Sequence, residues 1–182
     1  MEIEIKAKVK DFKAIRSGLN MIRAKRMGLK HQVDTYYLPW ARKLSAGGRN
    51  SFRTRYDRIS GKARLEFHHF YDLISGREDE VEVSDIKTLN KILLNLKCKK
   101  LVTVEKKRES FHYKDMEIAL DRVKGLGNFI EIEINGRPGR VNEKKLMSVL
   151  SKLGVSHEQV ISGPKYFSML LAKKGKKYFY FK

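Results

Sequence analysis

At 182 residues the chain is long enough for one domain to bury a core without disulfide support, and a hydrophobic content of 41% excludes disorder as the default. Lys and Arg number 40 against 21 Asp and Glu, and the resulting +19 favours an anionic partner: phosphate, nucleic acid or an anionic membrane surface. The single Cys98 excludes a disulfide framework and fits a reducing compartment; residues 1–25 carry no apolar signal-peptide core and no stretch reaches the roughly 18 apolar residues of a membrane span, so a soluble cytoplasmic protein, without membrane partners, is expected.

Met1 to Val9 alternates strictly and predicts a strand with one apolar and one charged face. Asp11 is placed to cap a helix over Asp11–Met27, with Phe12, Ile15, Leu19 and Ile22 at helical spacing. Strands are predicted at Val33–Leu38, ended by Pro39, at Ser51–Tyr56 after the Ala46-Gly47-Gly48 turn, and at Ala63–Tyr71 after the Ser60-Gly61 hairpin turn. Ser75-Gly76 opens the connection to a strand at Glu78–Val83. Ser84 or Asp85 then caps a helix to Leu96, with apolar Ile86, Leu89, Ile92, Leu93 and Leu96. Leu101–Lys107, Ser110–Tyr113, Glu117–Val123 and Phe129–Ile134 read as strands, with turns at Lys114-Asp115 and Gly125-Leu126-Gly127. Asn142 is the expected cap of a helix over Glu143–Leu153, with Gly154 at its C′ position, and Pro164 the expected start of a last helix. Residues 173–182 form a basic, aromatic tail.

The informative pattern is like charge spaced two apart on strands. Glu2 and Glu4 (followed by Lys6), Arg53 and Arg55, Glu80 and Glu82, and Glu131 and Glu133 each alternate with apolar or neutral residues, and Lys106 and Arg108 form a further pair. Residues two apart in a strand share a face, so each row belongs to one surface of a sheet. A single such row reads as a solvated face. Five rows with acids and bases segregated onto different strands oppose stability, because like charges repel and a stable surface mixes them. They suit a site where carboxylates hold a cation while guanidinium and ammonium groups hold a polyanion. With the helices covering the outer apolar face, the charged rows would line the interior of a barrel. A carboxylate set favours a hard ion, Mg²⁺ or Mn²⁺; the five histidines show no zinc spacing and one cysteine cannot build a thiolate site.

These residues resemble the CYTH superfamily of triphosphate tunnel metalloenzymes. The likeness runs from Glu2-Ile3-Glu4-Ile5-Lys6 through Gln32–Tyr37, Arg53-x-Arg55, Arg77 with Glu78, Glu80 and Glu82, and Lys106-x-Arg108. It continues to Leu120-Asp121 and Gly125-Leu126-Gly127-x-Phe129-x-Glu131-x-Glu133, covering about residues 1–172 and leaving 173–182 as an appendage. It is nearest the archaeal cyclase-like branch, which includes class IV adenylyl cyclase and thiamine triphosphatase-like proteins. The resemblance implies an α+β fold built on a closed eight-stranded antiparallel β-barrel, or tunnel, with helices packed on its outside. It implies triphosphate binding by Lys6, Arg53, Arg55, His68, Arg77, Lys106 and Arg108. Metal binding is implied for Glu2, Glu4, Glu80, Glu82, Asp121, Glu131 and Glu133, and catalytic roles for Glu4, Glu131 and Glu133.

Two departures stand out. His68 occupies a position where the family usually has Lys, and Lys165-Tyr166-Phe167-Ser168 replaces a usual Ser-Tyr-x-Glu, removing a carboxylate. The expected activity is a metal-dependent reaction on a nucleoside triphosphate, thiamine triphosphate or inorganic triphosphate. It is either hydrolysis or cyclisation of ATP to cyclic AMP by a class IV adenylyl cyclase-like phosphorus–oxygen lyase. The alternative is a nucleotide- or polyphosphate-binding module with weak or no catalysis. Nucleic acid is expected only on the basic tail or exterior, and the assembly is expected to be a monomer or homodimer.

Overall fold

Eight strands close into one antiparallel barrel in the computed structural model, which describes residues 1–38, 50–72, 74–161 and 165–175. The strands are β1 (Glu2–Val9), β2 (Lys25–Leu38), β3 (Asn50–Asp57), β4 (Ala63–Phe70), β5 (Ser75–Val83), β6 (Lys99–Tyr113), β7 (Met116–Val123) and β8 (Gly127–Asn135). The helices are α1 (Lys13–Met21), α2 (Ile86–Asn95), α3 (Arg140–Lys152) and α4 (Tyr166–Lys173). Around the ring the order is β1-β5-β4-β3-β2-β6-β7-β8. β1 pairs with β8 over its whole length but meets β5 only at Glu2↔Gly76 and Ile3↔Ser75. The later residues of β5 therefore stand clear of β1.

Alternation makes every strand two-faced. The outward rows Ile3-Ile5-Ala7-Val9, Ile118-Leu120 and Ile130-Ile132-Ile134 are buried under Ile15 and Leu19 of α1 and Leu146, Val149, Leu150 and Leu153 of α3. This layer is the main core, and its burial is the principal stabilising term for the barrel's outer wall. α2 covers a second outer patch, placing Leu89 and Leu93 with Tyr37, Phe52 and Leu65.

The fourth helix packs differently from the first three. Tyr166, Phe167 and Leu171 pack on Tyr36, Val102, Val104, Val123 and Phe129, the last inward-facing residues at one end of the barrel. Phe167 stacks on Tyr36 with ring centroids 4.3 Å apart, and Phe129 meets Tyr166 edge-on at 5.0 Å. α4 thus plugs one mouth, and its apolar residues replace the charged lining there.

Several boundaries differ from the sequence expectation for identifiable reasons. The first helix stops at Met21, because Arg23 adopts a left-handed φ of 59° and the chain reverses into β2. Residues 25–32 are then strand, not helix or loop. Leu101–Lys107 and Ser110–Tyr113 are one continuous strand, held along its length by β2 and β7. Gly139, not Asn142, caps α3; the Asn142 amide instead donates to the Arg137 carbonyl at 2.8 Å. The Ala46-Gly47-Gly48 turn, Pro164 and residues 176–182 lie outside the described residues.

Candidate active site

The lumen is built from the inward rows: Glu2-Glu4-Lys6, Lys30-Gln32-Asp34-Tyr36, Ser51-Arg53-Arg55, Arg64-Glu66-His68-Phe70, Glu78, Lys106-Arg108, Glu117-Ala119-Asp121 and Glu131-Glu133. It encloses a cavity of about 200 Å³. α4 and Lys165 close one end, while Lys30, Arg64, Glu117 and Glu133 stand toward the other.

On the wall of β2 to β5, Arg53 is the hub. It donates to Glu66, to the Tyr36 hydroxyl at 2.7 Å and to Glu78 at 2.9 Å. Arg55 forms two parallel bonds of 2.8 Å to both oxygens of Asp34. Its Nη1 also lies 3.2 Å from Glu66 Oε1, within ion-pair range but not aligned as a hydrogen bond. Burial opposes ionisation of Asp34, but the Arg55 and Arg53 guanidinium groups outweigh it and hold the carboxyl well below its usual range.

On the opposite wall, Arg108 donates to both oxygens of Asp121 at 2.7 and 2.6 Å and also to Glu131. Lys106 lies 3.3 Å from Asp121. Burial and the neighbouring Arg108 push the Lys106 ammonium down. Lys6 bridges Glu4 at 3.0 Å and Glu131 at 2.9 Å, under the Tyr166 ring at 4.2 Å. Tyr166 also donates its hydroxyl to Asp121 at 3.2 Å. Lys165, just ahead of α4, reaches Glu4 at 2.8 Å. Burial would raise the Glu4 carboxyl, but Lys165 and Lys6 outweigh it and hold it down to about 2.

Glu2 and Glu133 complete the lining and behave differently. Neither makes an ion pair with another described residue. The β1–β8 register sets Glu4 directly opposite Glu133. Burial and the Glu2 carboxylate push Glu133 up to about 8, and burial with Glu4 and Glu78 raises Glu2. Two partly buried acids that repel each other, with Lys165 and Arg108 acting on them only beyond ion-pair distance, have the donor chemistry of a hard-cation site. No three His, Cys, Asp or Glu side chains among the described residues already converge as a metal cluster. The fit is that of an ion held by one or two carboxylates and completed by phosphate oxygens and water, as is usual for Mg²⁺.

The lumen brings together Glu2, Glu4, Lys6, Arg53, Arg55, His68, Lys106, Arg108, Glu131 and Glu133. Asp121 is fully buried beneath Arg108, Lys106 and Tyr166, where it anchors the bases and does not face the open cavity. Glu80 and Glu82 continue the inward parity of β5 but stand beyond the closed ring. Their side chains are 47% and 65% exposed, on Arg64 at 2.8 Å and Lys62 at 3.5 Å. Arg77 is the correction of sign: the odd residues of β5 face outward, and it pairs with Asp79 at 2.7 Å, 65% exposed. His68 lines the cavity, stacked on Phe70 at 4.1 Å. Burial and the Lys165 and Arg53 charges push its imidazole down to about 3, so it is neutral at pH 7.

Asp34, Glu66, Glu78, Lys30, Arg64, Glu117 and Lys165 were not among the expected ligands, yet they line or brace the lumen. For Glu66 and Glu78 the signal is present, since each lies two residues from an expected site residue, His68 and Glu80; for Asp34 it is not, because alternation leaves the parity of its strand open. For Lys165 there was none, because a segment following the barrel carries it.

A closed eight-stranded antiparallel barrel whose lumen pairs basic and acidic rows is the class of fold the chain adopts. The chain belongs to the CYTH domain family, whose domain matches residues 1–163. A Methanocaldococcus jannaschii protein named "Putative adenylate cyclase" is 28% identical over 176 residues, covering 88% of this chain and 94% of that protein. A Pyrococcus horikoshii structure is 28% identical with a TM-score of 0.82, covering 95% of this chain and 99% of that one. A Hippeastrum protein named "Putative adenylyl cyclase", and described as having a dominant triphosphatase activity, shares the fold at 18% identity. Its TM-score is 0.67, with 98% of each chain covered.

No helix among the described residues is long and apolar enough to cross a membrane.

Proposed function

We propose that the lumen binds a triphosphate and that the protein is a metal-dependent enzyme acting on it, with hydrolysis of the terminal phosphoanhydride the favoured reaction. The observation that carries this reading is the lumen's division of labour: bases already oriented by buried carboxylates, beside two partly buried acids that make no ion pair with another described residue. Arg53, Arg55, Lys106 and Arg108 are held in fixed poses by Asp34, Glu66 and Asp121. They offer a polyphosphate preorganised donors with little reorganisation cost.

Glu2, Glu133 and Glu4 would hold Mg²⁺ or Mn²⁺, with Glu131 adjoining them. When bound, such an ion supplies charge neutralisation at the reacting phosphoryl group and lowers the pKa of a coordinated water. With α4 filling one end, a triphosphate enters the other mouth phosphate-first and leaves its organic group outward. That order favours attack by water on the terminal phosphorus: the new oxygen–phosphorus bond forms as the bridging bond breaks, and its electron pair leaves on the neighbouring phosphate. Cyclisation would require the ribose 3′-hydroxyl to reach the α-phosphorus, within a lumen whose lining is mostly charged.

Lys165 belongs to the same machinery. It adds a movable positive charge near the neutral His68, and a cation bound at Glu4 would free its ammonium for phosphate. A chain titrated with ATP, thiamine triphosphate and inorganic triphosphate, each with Mg²⁺ or Mn²⁺, should release orthophosphate. Release of cyclic AMP and pyrophosphate would instead assign cyclisation, and no turnover of any of the three would refute the enzyme. Glu131→Gln should stop turnover while retaining part of the ligand-induced thermal stabilisation.

A further inference from the structure

Both oxygens of the Glu4 carboxylate are already occupied. Oε1 meets the Lys6 ammonium at 3.0 Å and Oε2 meets the Lys165 ammonium at 2.8 Å. A divalent cation can therefore take this carboxylate only by displacing a lysine. The two lysines are not equally held. Lys6 also bridges Glu131 at 2.9 Å, lies under the Tyr166 ring and has only 6% of its side chain exposed. Lys165 has Glu4 as its one ion-pair partner among the described residues, with 18% of the side chain exposed. Its ammonium otherwise lies 5.3 Å from the centroid of the Phe70 ring. Lys165 is the one that yields.

What surrounds a displaced Lys165 decides the outcome. Burial and then the Lys165 charge keep the His68 imidazole neutral, and it stacks on Phe70, so neither neighbour offers the ammonium an anion. Glu78 is already held by Arg53 at 2.9 Å. Glu2 is the other acid within reach of the Lys165 charge, and it belongs to the same cation site. A free divalent ion on Glu4 and Glu2 thus leaves a partly buried ammonium without a counter-charge, and stranding one member of a buried pair is costly. A polyphosphate arriving with the ion removes that cost, because its oxygens give Lys165 a new charge-assisted partner. The lysine that opposes the ion alone favours the ion and polyphosphate together, which is a coupling free energy between two ligands of one lumen.

We propose that Lys165 is a specificity-determining residue that makes the lumen accept a divalent cation as its polyphosphate complex and resist the free ion; this rests on the reading of the lumen as a metal and triphosphate site. Calorimetry with Mn²⁺ alone, and thermal shift with inorganic triphosphate in EDTA, test it on the full chain. Lys165→Met keeps the stem over Phe70 and removes the charge, so it should bind Mn²⁺ about tenfold or more tightly than the parent. The same variant should bind triphosphate in EDTA more weakly, so the two affinities move in opposite directions. Lys165→Arg should return both toward the parent's values. A lysine that only grips phosphate would lower the second affinity and leave the first unchanged, and one that only seats α4 would lower both. If the methionine variant lowers the unliganded thermal midpoint, Lys165→Gln decides by the same pair of measurements. The proposal is overturned if the neutral variant binds Mn²⁺ no more tightly than the parent, or if its triphosphate affinity is unchanged. A parent chain that binds neither Mn²⁺ nor triphosphate overturns the reading of the lumen itself. A parent that binds both, matched by its neutral variant, overturns only the role of Lys165.

Discussion

The two halves of the lumen are both densely charged and solve opposite problems. On the β2–β5 wall, Arg53 and Arg55 are saturated by Asp34, Glu66, Glu78 and Tyr36, so the guanidinium groups are fixed before any ligand arrives. On the β1–β8 wall, Lys6 satisfies Glu4 and Glu131, but Glu2 and Glu133 repel one another and neither makes an ion pair with another described residue. The comparison teaches that the phosphate side is organised by the fold, whereas the acidic side is completed only by what binds. Buried ion pairs of the first kind contribute little net stability but are costly to break, because the surviving partner is left charged and dry.

The largest effect should therefore come from the organised wall. Arg53→Ala strands Glu78 and leaves Glu66 only Arg55 at 3.2 Å, and Arg55→Ala leaves Asp34 only Arg53 at 3.7 Å. Each should cost about 3–5 kcal/mol in chemical denaturation and abolish thermal stabilisation by inorganic triphosphate. If either variant unfolds with the parent's midpoint, the wall is not the interlocked network described.

Next in size is a backbone contact behind the same wall. Gly76 lies against His68: a Cβ added there would sit 2.5 Å from His68 Nε2 and 2.9 Å from the His69 carbonyl oxygen. The imidazole can turn away, but the carbonyl belongs to the paired strand β4 and cannot yield without disturbing the ladder. Gly76→Ala should cost about 1–3 kcal/mol by overpacking, read as a lowered denaturation midpoint.

The acidic wall should respond in the other direction. Glu133 sits near 8 in the folded protein against an ordinary 4.5, so between those values the unfolded chain has released a proton that the folded chain retains. Folding stability without metal should thus fall as pH rises through that window, with a slope of at most about 1.4 kcal/mol per pH unit for one proton. Glu133→Gln should flatten that decline in EDTA, remaining more stable than the parent near pH 8, and should weaken Mn²⁺ binding measured by calorimetry. Identical pH profiles for the two proteins would mean that the acids are not in conflict.

How much of this was legible follows from what alternation records and what it omits. Parity in Glu2-x-Glu4-x-Lys6, Arg53-x-Arg55, Lys106-x-Arg108 and Glu131-x-Glu133 marked the inward face, and a charged inward face already demands a closed wall with its apolar side under helices. Alternation says nothing about where a strand leaves the ring, so Glu80 and Glu82 shared the right face but not the cavity. It missed the start of β2, because Lys25–Lys30 has Met27 and Leu29 exposed where a half-buried strand would hide them. It could not anticipate α4, since packing of Tyr166 and Phe167 into a barrel mouth is a long-range event with no local period. Lys165 became visible only with that helix in place.

The smallest effect tests parity itself. Arg77 has the charge expected of a phosphate ligand and lies one residue from Glu78, which is in the lumen, but a shift of one residue in a strand reverses the face. Its guanidinium meets Asp79 two residues along the same outward row, an exposed pair of the kind worth little. Arg77→Ala should change stability by no more than about 0.5 kcal/mol and leave the triphosphate-induced thermal shift and any turnover at the parent's level. Against the loss expected at Arg53, a null result here would localise phosphate binding to the inward row and separate it from the protein's general positive charge. A loss comparable to that of Arg53→Ala would mean that β5 is paired one residue out of register from the arrangement described, with Glu78 outside and Arg77 within.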